Sequence, residues 1–293
     1  MLFRRWIIGL LWVALAGLSG CSALRLGYNT APDLAYWWID GYADFDDTQA
    51  PQVRDALSSW FAWHRRTQLP DYAALLARAQ VEVLADTTPE RACAWWADVR
   101  RRTETAFEHA MPLAAGIAAT LTPAQIRHIE RRQAKSNEEF REEHLAADPK
   151  ERREVALKRA IDRAETIYGR LDEVQRERVA AALAESPFDP ALWLEERKRR
   201  QRDAIEVLRR IASDPAAADQ AVPALRAWAQ RIERSPDPGY RRYQEQLTRT
   251  NCAFTATLHN MTSAAQRQAA AAKLQGWEGD LRALAGSANG NGR

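Results

Sequence analysis

The chain has little of what breaks or loosens a backbone: thirteen glycines and thirteen prolines in 293 residues. Residues 21–285 hold no Gly- or Ser-rich linker, so nothing in the composition divides that stretch into separate domains. No segment alternates apolar and polar residues as a half-buried strand does, which argues against a β-sandwich or barrel. Catalytic motifs are missing as well: no His-Glu-x-x-His, no Gly-rich phosphate loop and no Gly-x-Ser-x-Gly elbow. The five histidines stand scattered at 64, 109, 128, 144 and 259. His128 and His144 share a predicted helix with Glu130, Glu138, Glu139, Glu142 and Glu143, but about four turns separate them. That stretch reads as a surface helix laced with ion pairs rather than a metal site. No cofactor or metal is expected, and the reading is non-enzymatic.

Long apolar runs are also scarce. The one at the start, Trp6 to Leu18, follows Arg4 and Arg5 and ends in Leu18-Ser19-Gly20-Cys21. As a helix it rises only about 20 Å, short of the roughly 30 Å hydrocarbon core, so it reads as a secretory signal rather than a membrane span. Residues 1–20 are assigned as the signal peptide, 21–285 as a single helical domain, and 286–293 as a disordered tail. Losing Arg4 and Arg5 but no acid takes the formal charge from +3 to +1. That removes the basic surplus a nucleic-acid binder would show. Cys93 and Cys252 remain after Cys21. In an oxidising compartment this pair suits a disulfide, which over so long a loop contributes about 5 kcal/mol in the chain-entropy model. Two buried free thiols are the alternative.

What is abundant is helical periodicity. Val53, Leu57, Trp60, Phe61 and His64 share a face, as do Tyr72, Leu75, Leu76, Ala79 and Val83. Starts are written as capping boxes, in which a cap side chain and a Gln or Glu three residues on satisfy two orphan backbone donors. Thr122-Pro123-Ala124-Gln125 is the clearest. Asp46 to Gln49, Thr87 to Glu90, Asp148 to Glu151, Asp172 to Gln175 and Ser263 to Gln266 follow the same logic. The expected fold is all-α, an elongated bundle of about nine or ten helices with short connections. They fall near 30–41, 47–67, 70–86, 89–119, 123–147, 149–168, 172–185, 190–213, 215–234 and 238–284. The run from Glu195 to Asp203 is expected to be a solvated, rod-like stretch.

Two aromatic clusters are candidate sites. Trp60, Trp63, His64, Arg65 and Arg66 either form a groove, with indoles stacking on a ligand and guanidinium groups holding a carboxylate or phosphate, or a packed aromatic layer with arginines capping the helix. Tyr36-Trp37-Trp38 is either the first helix of the bundle or a segment at the membrane surface, where indoles concentrate. Asp40, Asp44, Asp46 and Asp47 favour the bundle, because they sit poorly against anionic headgroups.

Leu18-Ser19-Gly20-Cys21 resembles the lipobox of bacterial lipoproteins, which implies a diacylglycerol on Cys21 and a mature chain that starts there. Arg25 to Asn29, Tyr36-Trp37-Trp38, Asp44-Phe45-Asp46 and Trp63 to Ala73 resemble a family of uncharacterised bacterial lipoproteins, most specifically over residues 18–76. The resemblance implies a lipidated, all-helical envelope protein and carries no catalytic residue or ligand. In the sorting rule known for such lipoproteins, Asp after the lipidated Cys retains the protein in the inner membrane. Ser22 stands there, which implies the outer membrane, facing the periplasm. Leu121-Thr122-Pro123-Ala124-Gln125 is similar to the Leu-Thr-x-x-Gln repeat of Spy-type periplasmic chaperones, which bind unfolded clients without ATP; Leu171 to Gln175 and Phe45 to Gln49 echo it. The function expected is binding or structural, with the membrane and an envelope protein as partners and no nucleic acid; the alternatives are an ATP-independent holdase, or a small-ligand or enzymatic site at residues 60–66.

Overall fold

Where the capping side chains stand, the chain turns. The computed structural model describes residues 23–146, 148–214 and 218–287. Among them are ten α-helices and no strand: α1 (Ala23–Ala43), α2 (Gln49–Glu82), α3 (Pro89–Thr120), α4 (Pro123–Arg141), α5 (Pro149–Tyr168), α6 (Glu173–Ala184), α7 (Pro190–Ser213), α8 (Ala218–Glu233), α9 (Pro238–Asn260) and α10 (Ala264–Ser287). The protein is an all-α bundle. A π-helical turn, Glu142–Ala146, follows α4. The assigned signal, Cys21 and residues 288–293 lie outside the described residues. No described helix is long and apolar enough to cross a membrane.

Four boundaries differ from the sequence reading. The break expected at Leu69-Pro70-Asp71 does not occur, and α2 runs straight through Pro70. Proline there forfeits one backbone bond, but Leu69 and Ala73 on either side are fully buried, and α2 lies along α10 over its most extensive interface. Packing outweighs propensity. Conversely, 238–284 is not one helix. It stops at Met261, and Ser263 and Gln266 exchange bonds of 3.2 and 2.9 Å to start α10. The first helix begins at Ala23 rather than near 30. At the other end Gly286 and Ser287 belong to α10 and not to a tail.

The core is spread over three clusters. Met111 and Ala115 of α3 meet Val207 and Ile211 of α7 and Leu225 of α8. Ala43, Leu121, Ile126, Ile129 and Ile205 join α1, α4 and α7. Leu171, Val179 and Leu258 join α6 and α9. Cys93 of α3 and Cys252 of α9 form a disulfide across 159 residues of sequence, with Cα atoms 5.3 Å apart.

Two crossed glutamine pairs lock the helix starts together. A capping box uses only the Oε1 of its glutamine and leaves the two Nε2 hydrogens for another partner. Gln125 Nε2 donates to the Asp44 carbonyl at 2.9 Å and to Gln49 Oε1 at 2.6 Å, while Gln49 Nε2 reaches the Thr120 carbonyl at 2.8 Å. The same arrangement recurs where Gln175 and Gln266 exchange amide bonds of 2.8 Å in both directions. Their remaining Nε2 hydrogens reach the carbonyls of Met261 and Arg170, each at 3.0 Å. Helices that start far apart in sequence are thereby held start to start.

Candidate binding surfaces

The Trp60 to Arg66 cluster sits on α2, the helix that packs against α1, α3 and α10. Its members point in different directions and do not converge on one cavity. His64 is buried, stacks on Trp60 at 4.8 Å between centroids, and has Nδ1 2.9 Å from the Tyr28 hydroxyl of α1. Phe61 and Tyr72 close the remaining sides with edge contacts to Tyr28 and His64. Burial holds the His64 imidazole below its ordinary range. Burial likewise pushes the Tyr28 hydroxyl up to about 12, against the pull of Arg65. Trp60 Nε1 donates to the Ala106 carbonyl of α3 at 3.1 Å. Arg65 reaches Asn29 Oδ1 at 2.8 Å and Ser287 Oγ at 3.1 Å, tying α1, α2 and α10. These three side chains are engaged in packing helices.

Trp63 and Arg66 turn the other way, onto an open groove of about 1060 Å³ between α2 and α3. Trp63 lies flat against His109, with ring centroids 3.7 Å apart. Around it stand Arg101, Glu104 and Glu108. Glu108 is bound by Arg226, which holds its carboxyl below the usual carboxylate range, and Arg101 is bound by Asp98. Burial and a neighbouring carboxyl, Glu233, raise Glu104. The groove carries both signs of charge at once.

Large apolar side chains stand exposed elsewhere. On α1, Tyr28 and Tyr36 face inward, with Arg54 set 3.5 Å over the Tyr36 ring. Leu26, Leu34, Trp37 and Trp38 share the opposite face, where the two indoles are 74% and 61% exposed. Asp33 is the sole charged residue among the exposed residues of this helix. On α3, Trp96, Val99 and Phe107 fall on one stripe by their spacing of three, eight and eleven, and Trp96 and Phe107 are 58% and 61% exposed.

The charged run 195–203 is not a solvated rod. Glu196 is buried, and its two oxygens take four bonds: Arg199 twice at 2.8 Å, Arg200 at 2.9 Å and Ser235 Oγ at 3.2 Å. Burial opposes its charge, but the two guanidinium groups outweigh it and hold the carboxyl below its usual range. Asp203 binds Arg231 at 2.7 Å, and Arg200 lies over Tyr240. Glu196, Arg199, Arg200 and Asp203, one face of the run by helical spacing, thus clamp α7 to α8 and to the start of α9. The sequence signal that marks this is one acid with bases three and four residues on, a pattern as common on solvated helices. Ser235, the residue that closes the site, gives no sign of it.

On the stretch read as an ion-paired surface helix, Glu130 pairs with Arg209, Glu138 with Arg141, Glu139 with Lys135 and Glu143 with Arg159. A family model described as a family of unknown function, DUF6279, matches residues 41–227. The chain belongs to this family. The match runs from the end of α1 into α8. It therefore includes Gln49, Gln125 and Gln175 but leaves out the exposed face of α1, Cys252 and Gln266. No curated protein and no solved structure matches the chain.

Proposed function

We propose that this DUF6279 protein is a lipid-anchored, periplasm-facing envelope protein with a non-enzymatic binding role, attached through Cys21 in the outer membrane. Support for the anchor comes from the lipobox-like Leu18 to Cys21. The observation that carries the binding role is the α3 stripe of Trp96, Val99 and Phe107, large apolar side chains left open on a helix that packs against α2, α7, α8 and α9. Such a stripe, rimmed by charged side chains, suits a helical or extended segment of a protein partner. His64, the histidine of the candidate cluster, is walled in by Tyr28, Trp60 and Tyr72. A photocrosslinking residue at Phe107 of the full chain in cells should capture a defined envelope protein that the same residue at exposed Lys150 does not. Equal or absent adducts at both positions would remove the binding role. Intact mass of the mature chain tests the anchor separately, by an acylated N-terminus at Cys21.

A second reading, an ATP-independent holdase, is favoured by the same open stripe together with the crossed glutamine boxes, which resemble the Spy-type motif. It predicts that the purified chain slows light scattering by a heat-unfolded client. Loss of that effect in Trp96→Ser/Phe107→Ser would support it, whereas an unchanged effect in this variant would dismiss it.

A further inference from the structure

We infer that the exposed face of α1 lies in the bilayer interface and sets which side of the bundle looks at the membrane. The inference rests on the lipid-anchor reading. Cys21 stands two residues before Ala23, so a lipid there brings the start of α1 within about 7 Å of the surface even with the chain fully extended. The next 21 residues form one helix. Leu26, Leu34, Trp37 and Trp38 occupy a single face of it, spanning about 18 Å along the axis. Two indoles beside two leucines, with one acid and no base exposed among them, are what an interfacial helix presents to headgroups and the first acyl carbons.

The opposite face is fully committed to the protein, which fixes the rotation of α1. Tyr28 reaches His64, Arg25 pairs with Asp280 of α10, and Ala43 enters the core against Ile126 and Ile205. Of the four acids that argued against a membrane position, Asp44 and Asp47 are exposed beyond the end of α1, and the other two are held by the turn. Asp40 accepts from the Phe45 amide at 3.0 Å, and Asp46 accepts from Thr48 and Gln49, so both are engaged with backbone at the turn into α2. Arg54 and Arg132 stand over the Tyr36 and Tyr42 rings and cover the sides of α1 away from the indoles. The lipid chains supply the affinity; α1 supplies the orientation.

The test uses the full chain purified from membranes and reconstituted into vesicles of phosphatidylethanolamine and phosphatidylglycerol, three to one, with brominated acyl chains that quench indole fluorescence. Wild type should be quenched, and Trp37→Phe/Trp38→Phe should lose more than half of that quenching, in high salt as in low. The same samples are weighed intact to read acylation of Cys21. Acylated protein whose quenching is unchanged in the double variant overturns the inference and leaves the anchor standing. Unacylated protein that does not bind vesicles brings down both, and unacylated protein that still loses quenching in the variant keeps the inference and discards the anchor. Because both indoles are exposed, the variant should melt at the wild-type temperature. A melting temperature lowered by many degrees would mean that the indoles pack inside the protein, which also overturns the inference.

Discussion

Residues 60–66 and 34–38 carry nearly the same chemistry, paired indoles beside another aromatic ring on a helix, and they meet opposite fates. On α2, neighbours on three sides take Trp60 and His64 into the packing between α1, α2 and α3. On α1, which touches α2, α4 and α10 along its inner side, Trp37 and Trp38 are left open. What separates the two clusters is the place of their helix in the bundle, and an aromatic cluster in a sequence does not state that place.

The contrast can be broken or sharpened by substitution, starting with the largest effect. Trp60→Ala should cost about 3 kcal/mol in urea unfolding, since it empties packed volume and removes the indole bond to the Ala106 carbonyl. A value near zero would put Trp60 in the same class as Trp37. Next, Gln125→Leu should cost about 2 kcal/mol by stranding the Asp44 carbonyl and the Gln49 amide, the bonds that seat the turn from α1 to α2. Faster hydrogen exchange of that turn should accompany it, and unchanged exchange would mean that the crossed pair does not hold the turn.

A smaller effect belongs to His64. Burial lowers its pKa in the native state, so the unfolded chain takes up the proton at higher pH, about 6.5. The stability this group contributes is full above that value and is lost as pH falls towards the native pKa. His64→Phe should therefore flatten the acid limb of the stability profile below about pH 6.5, and an unaltered limb would show that His64 is solvated. The smallest change is expected on the open side: Trp37→Ala and Trp38→Ala should each stay within about 0.5 kcal/mol of wild type when membrane is absent.

Much of the fold was legible because helix starts are chemically explicit. Thr122, Asp172 and Ser263 cap as written, and the Ser263 box marked a break that the apolar stripe concealed. The continuity of α2 through Pro70 was not legible, because burial of Leu69 and Ala73 against a helix two hundred residues away decides it. Nor was the inward turn of Glu196, which depends on Ser235 and the start of α9 closing over an ordinary pattern of charges. The crossed glutamines left a trace that can be read elsewhere: a capping box satisfies Oε1 alone, so a buried box glutamine demands acceptors for two more hydrogens. At the candidate site the residue types were readable and their directions were not. His64 is buried by Tyr28, thirty-six residues earlier.

The central claim is that the indoles of α1 stand open while Trp60 and His64, at the centre of residues 60–66, are packed between helices. Timed oxidation of the folded chain with N-bromosuccinimide, followed by peptide mass spectrometry, tests it directly. Trp37 and Trp38 should be modified first and Trp60 only after the chain unfolds; Trp60 reacting as early as Trp37 would contradict the account.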